Sequence, residues 1–465
     1  MPDRAIITRA NTTGPMLGDW AVDPNRGGPL AGHDHIDVRA VAGAGKTTWS
    51  ARAIVRAVDA GHRVLVCAFT NAQVTELARK VAEEAQLLRR RRPRLVHLAT
   101  PDHVLTPAPP GLHSTSDKRD PAVRQAECLL ATCHKSAYST DDVGDFDIGF
   151  VDEAYQVRSD VAALVALSLA PRWAFVGDPG QIAVFSTVPV RWDQTADPVS
   201  SIVASARAAG ADLGTLSFDW SFRVPAAAEE PLTSFYGYPV HVAALPTDRR
   251  LHVSAGTSRG RLGKAADRVW DRAAATTWGM LQLSGDAYGP TDPDTASAIG
   301  ALIVSLWQRK ARAVCEQHPR GVRLEARDVA VAVATNDQVS AVTSAVSAAL
   351  TAAGCSNPTR FVPHITTYNK HQGLTYPVTI AWHPLSGATH SDEFAVDLGR
   401  WCVGVTRHRH ACIVVGREGL RRVLSDPPLS AAAPRPGERN RFLEGWLAHT
   451  EVLRAIDEAG ATIQI

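Results

Sequence analysis

The stretch Ala40-Val-Ala-Gly-Ala-Gly-Lys-Thr-Thr48 constrains the fold more than any other. An apolar-alternating run, Ile36 to Val41, precedes it and reads as a strand. A helical pattern follows from Thr47 to Val58 and is stopped by Gly61. Strand, glycine-rich turn, lysine, hydroxyl and helix together make a loop that cradles phosphate. Gly43 and Gly45, with Ala44 between them, let the backbone curl so that its N–H groups face inward. The helix N-terminus adds partial positive charge. Lys46 is placed to reach β- and γ-phosphates, Thr47 to hold Mg²⁺, and Thr48 to complete the binding turn. The first glycine of the usual pattern is Ala40 here, which requires a β-like backbone at that residue.

At 465 residues the chain exceeds one ordinary core and implies two or three domains. Apolar content of 45% and charged content of 21% fit a folded globular protein. No apolar run approaches the ~20 residues that a membrane span needs. The start, Met-Pro-Asp-Arg, lacks an apolar leader core. Seven cysteines without a C-x-x-C pair argue against a zinc site or a disulfide framework, so a reduced, cytoplasmic setting is expected. A net charge of +2 does not by itself announce nucleic acid.

Strand patterns at Arg63–Ala68, Glu127–Thr132, Phe146–Val151 and Arg172–Gly177 alternate with helical ones, which implies a parallel sheet covered by helices. The second half repeats the alternation, with strands near 328–334, 361–367, 378–382 and 411–416. The expected architecture is α/β, with two parallel-sheet lobes. Residues 1–34 read as a loose lead-in, and 35–215 as the first lobe with a short insertion at about 85–126. Residues 216–425 read as the second lobe with an insertion at about 237–292, and 426–465 as a Pro-rich spacer with a terminal helix. The basic run Arg89 to Arg92 reads either as a solvated loop or as a backbone-contacting patch.

Asp152-Glu153 ends an apolar strand about a hundred residues after the phosphate loop. An acid there holds Mg²⁺, and the next carboxylate polarises the attacking water. An acidic helix start would look the same in isolation. Gly177-Asp-Pro-Gly-Gln181 ends the following strand; Gln181 can sense a γ-phosphate or position water, although Asp-Pro-Gly is also ordinary turn chemistry. Arg223, at the crossing between halves, and Arg407, in Arg400-Trp-Cys-Val-Gly-Val-Thr-Arg-His-Arg409, are candidates to neutralise charge on a transferring phosphoryl group.

Taken in order, GAGKTT, CAFTNAQVTEL, LLATCHKSA, VDEAYQ, VGDPGQI, LSFDWSFRVP, TTYNKHQGLTYPVTI and GRWCVGVTRHRHACIVVG resemble the motif series of superfamily 1 helicases. DEAYQ resembles the D-E-A-x-Q form of the Senataxin-type branch. The resemblance spans residues 36 to about 416. It implies a P-loop NTPase of two RecA-like lobes, with ATP and Mg²⁺ in the cleft between them and single-stranded DNA or RNA across the top. By that likeness Thr70, Asn71, Thr132, Thr366 and Thr367 contact the strand backbone, and Gly373 belongs to the nucleotide cleft. Each hydroxyl would equally serve as a strand-end cap. The implied activity is a 5′–3′ helicase or translocase, alone or in a larger complex. The alternatives are a nucleotide-switch ATPase and a helicase-like subunit without strong unwinding. The family's Q-G-x-E glutamate is Thr375 here, and no glutamine precedes the phosphate loop to read adenine.

Overall fold

The computed structural model describes residues 13–87, 94–184, 200–245, 248–285, 289–392, 394–425 and 440–465. In the first lobe a helix, α1 (Thr13–Val22), leads into β1 (His35–Ala40) and α2 (Lys46–Asp59). β2 (Val64–Ala68) and α3 (Asn71–Leu87) follow, then β3 (Leu95–Leu98), β4 (Leu112–Thr115), β5 (Cys128–Thr132), β6 (Ile148–Asp152), β7 (Trp173–Gly177) and β8 (Leu213–Phe218). The sheet order is β4-β3-β5-β2-β6-β7-β1-β8, with every pairing parallel. β2, β5, β6 and β7 are buried at every position. Covered on both faces, they show unbroken apolar runs rather than alternation. This order brings the C-terminal ends of β6, β7 and β1 side by side, so that Asp152, Gly177 and the loop after Ala40 share one sheet edge.

Between the lobes, β9 (Trp220–Ser221) pairs with β10 (His241–Val242). The second lobe runs through β11 (Arg250–His252), α4 (Gly260–Thr276), β12 (Trp278–Leu283), α5 (Pro293–Gln308), β13 (Arg312–Cys315), β14 (His318–Arg323) and β15 (Val329–Val333). It continues with α6 (Asn336–Ala352), β16 (His364–Thr367), β17 (Tyr376–Trp382), α7 (Leu398–Val405), β18 (His408–Arg417), α8 (Arg441–Glu458) and β19 (Thr462–Gln464). Its main sheet is β16-β15-β17-β18-β12-β19, again parallel. β11, β13 and β14 form a small antiparallel sheet beside it. Two parallel sheets flanked by helices are the two RecA-like lobes expected.

Several parts differ from the sequence reading. From Thr13 onward the lead-in is not loose: Leu17 and Trp20 of α1 are fully buried, and Arg56 of α2 pairs with Asp19 at 2.5 Å. The region taken as an insertion at 85–126 supplies β3 and β4 to the first sheet, by pairing β3 with β5. The boundary at 215/216 falls inside β8, which extends the first sheet beyond β1. The region at 237–292 contains β12, all six residues buried between β18 and β19. The terminal segment belongs to the second lobe, since β19 pairs with β12. Arg89 to Arg92, and residues 426–439 of the Pro-rich spacer, lie outside the described residues.

Candidate active site

The phosphate loop is held from below. Ala40 closes β1 fully buried, in the extended conformation that makes alanine acceptable there. Gly43 has φ 81° and Gly45 φ 78°, left-handed values that favour glycine. A Cβ on Gly43 would lie 2.4 Å from Cβ of Arg223, so the loop and the lobe-crossing segment touch through glycine's bare backbone. Ser221 Oγ donates to Ala42 O at 2.7 Å, and Phe222 N–H donates to Gly43 O at 2.9 Å. Gly45 is the N-cap of the 14-residue α2, whose first turn therefore opens toward the loop with its partial positive charge.

Lys46 Nζ donates to Glu153 Oε1 at 2.5 Å and lies 3.8 Å from Asp152 Oδ1. Burial pulls the lysine's pKa down, but Asp152 and Glu153 outweigh it and leave it raised. Asp152 is itself raised: burial and Glu153 push its pKa up against the pull of Lys46. Asp152 Oδ1 is buried without a hydrogen-bond partner. Glu153 has φ 52°, a left-handed backbone on a non-glycine residue, costing about 1–3 kcal/mol where neighbours enforce it. Two residues on, the Tyr155 hydroxyl donates to both carboxylate oxygens of buried Asp37, at 2.8 and 3.0 Å.

Beyond β7, Asp178 accepts from Gly180 N–H at 2.9 Å and from Gln181 Nε2. Burial drives the Asp178 pKa up to about 6, partly offset by the bond from Gln181. Gln372 Nε2, from the second lobe, donates to Gln181 Oε1 at 3.1 Å. A Cβ on Gly399 of α7 would lie 2.4 Å from the Gln181 carbonyl carbon, so α7 packs directly on this loop. Arg223 Nη1 donates to Thr406 O at 3.4 Å; burial, then neighbouring Arg407, lower its pKa to about 9. Arg407 is 1% exposed, and its Nε and Nη2 find no hydrogen-bond partner.

One inter-lobe cavity of about 730 Å³ gathers these groups. Gly43, Ala44, Gly45, Lys46, Thr47, Thr48, Asp152, Glu153, Gln181, Arg223, Gly373 and Arg407 all line it. Asp178, Arg409, Gln73 and Glu76 line it as well, and the sequence reading gave them no role there. Arg409 carried a signal, standing two residues past Arg407 in one motif; Gln73 and Glu76 share one face of α3 at helical spacing. The Thr47 hydroxyl and the Asp152 carboxylate are hard oxygen donors, and Asp152 Oδ1, which accepts no hydrogen bond, suits a Mg²⁺ ion. Among the described residues no cluster of His, Cys, Asp and Glu forms a separate metal centre.

No family model matches the sequence, and no curated protein matches it. Similar solved structures include the PRRSV helicase, at 12% identity and TM-score 0.39, covering 88% of this chain and 60% of that one. Another is arterivirus nonstructural protein 10, a helicase in complex with DNA, at 13% identity and TM-score 0.40, covering 88% and 65%. The chain thus spans less than two thirds of the length of either.

The five strand-contact candidates divide. Thr70 follows β2, Thr132 ends β5, and Thr366 and Thr367 end β16, so all lie at C-terminal strand ends. Thr70 and Gln73 cap α3 reciprocally: Gln73 N–H donates to Thr70 Oγ1 at 3.3 Å, and Thr70 N–H to Gln73 Oε1 at 2.9 Å. Thr132 is buried and accepts from Lys135 N–H at 3.1 Å. Asn71 Nδ2 donates to Thr100 Oγ1 at 3.2 Å, and Thr366 is buried. Thr70 lines a second inter-lobe cavity, about 360 Å³, with Phe69, Arg158, Asn369 and Gln372.

Proposed function

We propose that the protein is an ATPase driven by single-stranded nucleic acid, a superfamily 1 helicase or translocase moving 5′ to 3′. The observation that carries the reading is Arg407, buried with two unpaired nitrogens on the same cavity as Lys46 and Asp152. Buried guanidinium nitrogens without acceptors are costly unless an anion completes them. ATP would supply the scissile phosphoanhydride bond, and a Mg²⁺ ion held by Thr47 and Asp152 would supply charge neutralisation at its oxygens. Lys46 binds the β- and γ-phosphates and in doing so lets go of Glu153. Glu153 then accepts the proton of the attacking water, which Gln181 orients. Thr47 and Asp152 would hold the metal, while Arg223 and Arg407 balance charge on the transferring group. Phosphate-, metal- and arginine-dominated binding with no glutamine upstream of the phosphate loop to read adenine implies weak base selectivity.

The strand would lie along the C-terminal ends of both sheets, against Thr70 and its neighbours, with a reduced cytoplasmic setting and, as a further partner, a larger protein complex. All seven cysteines are free, and no described helix is long and apolar enough to cross a membrane. The complete set from Lys46 to Arg407 disfavours a silent helicase-like scaffold. ATP turnover should rise on adding single-stranded DNA or RNA; turnover indifferent to both polymers would favour a nucleotide switch. Strand displacement from 5′-tailed substrates and not from 3′-tailed ones tests the polarity.

A further inference from the structure

Tyr236 lies in the segment that joins the lobes and is 3% exposed. Its hydroxyl accepts from the Ala42 N–H of the phosphate loop at 2.7 Å and donates to Asp178 Oδ2 at 3.2 Å. Its ring packs on the sensor loop so closely that a Cβ on Gly180 would lie 2.7 Å from it. Asp178 in turn accepts from Gln181, and Gln181 Oε1 accepts from Gln372 of the second lobe at 3.1 Å. An unbroken series of hydrogen bonds therefore runs from the phosphate-loop backbone to Gln372, which lines both the nucleotide cavity and the groove beside Thr70. A ring alone would fill the space. The hydroxyl does more, tying two loops that would otherwise move independently.

We propose that Tyr236 is a positioning residue that links the state of the phosphate loop to the sensor loop and, through Gln181 and Gln372, to the strand-binding groove. This rests on the strand-driven ATPase reading above. Tyr236 is absent from the lining of the 730 Å³ cavity; it acts by setting where Asp178 and Gln181 stand when the loop is filled. The expected signature is a loss of coupling rather than of nucleotide affinity.

The test compares the full-length protein with Tyr236→Phe, Gln372→Leu and the double variant, with and without single strand. In Tyr236→Phe the KM for ATP should hold, while strand-stimulated kcat falls about tenfold more than strand-free kcat, the scale of one buried hydrogen bond. Gln372→Leu breaks the same series at its other end, so the double variant should lose no more stimulation than either single one. Equal losses with and without strand, or additive losses in the double variant, overturn the proposal. Should Tyr236→Phe fail to fold, 3-fluorotyrosine at 236 keeps the ring and weakens the acceptor; stimulation then falls, and unchanged stimulation overturns the proposal. A wild-type protein whose ATPase ignores the strand removes the parent reading and the coupling with it. A stimulated wild type with equally stimulated Tyr236→Phe removes the coupling alone.

Discussion

Lys46 sits between two carboxylates that repel each other, so its removal should do more than weaken phosphate binding. Lys46→Ala should abolish turnover and cut nucleotide affinity, measured by steady-state ATPase and equilibrium binding. Glu153→Gln should bind nucleotide yet stall hydrolysis, because an amide cannot accept the water's proton. Near-normal turnover in either would refute the roles. Arg407 offers a sharper contrast. Its unpaired burial burdens the fold without nucleotide, so Arg407→Met should raise the melting temperature, by about 1–3 kcal/mol of stability. The same change should slow hydrolysis roughly 10³-fold. A variant that is both destabilised and active would show that Arg407 serves packing instead. That Lys46, Glu153 and Arg407 meet on one cavity was legible in sequence because each stands in a short local motif. Tyr236 and Asp37 were not: their contacts join positions 194 and 118 residues apart, and neither stands in a local pattern.

At the scale of elements, sequence reading succeeded where apolar periodicity was clean. α2 and β15 lie within a residue or two of their expected bounds. It failed where local propensity and tertiary packing disagree. α1 holds two glycines and a proline in ten residues, a poor helix by propensity, and is held by packing on α2. Gly14 and Gly18 allow that packing, since a Cβ at either would strike Trp49 or Arg56. β12 escaped notice because a strand buried on both faces shows no alternation, and Gly279 interrupts its apolar run. α1 yields a prediction. Trp20 is fully buried and its Nε1–H donates to His33 O at 2.8 Å. Trp20→Ala should therefore cost about 3–5 kcal/mol in urea unfolding. A change below 1 kcal/mol, roughly what an exposed site shows, would mean that the lead-in is loose after all.

The two lobes as a whole were foreseeable from the repeated alternation, but not how they clasp. α8 does this at long range: Arg441 donates to Pro179 O at 3.2 Å and to Gln181 O at 2.7 Å. Behind that helix lies a feature that sets the acid stability of the whole molecule. His449 of α8 stacks on Trp401 of α7 with ring centroids 4.7 Å apart, and its Nδ1 lies 3.0 Å from His383 Nε2. His383 Nδ1 accepts from Leu385 N–H at 3.2 Å, so Nε2 carries the proton and donates to His449. Neither ring can take a second proton without charge in a closed apolar site. Burial lowers His383 well below its usual pKa and His449 to about 3. Burial likewise lowers His97, His371 and His410 to about 4 and His408 to about 3. All six are neutral in the fold, whereas the unfolded chain protonates them near pH 6.5. Their stabilising contribution is full above 6.5 and is lost as pH falls toward 4, at up to ~1.4 kcal/mol per unit per histidine. Asp178 and Asp152 work in the opposite direction: their raised pKa values, about 6 for Asp178, make the fold gain as pH drops toward the unfolded value of 3.8. Six groups outweigh these two, so unfolding free energy should drop steeply between pH 6.5 and 5. Urea titrations at pH 7.5, 6.5 and 5 check this, and His449→Phe should flatten the slope by about one proton while keeping the stack on Trp401. Stability that stays level down to pH 5, or a His449→Phe variant with the wild-type slope, would mean that these rings meet water in solution.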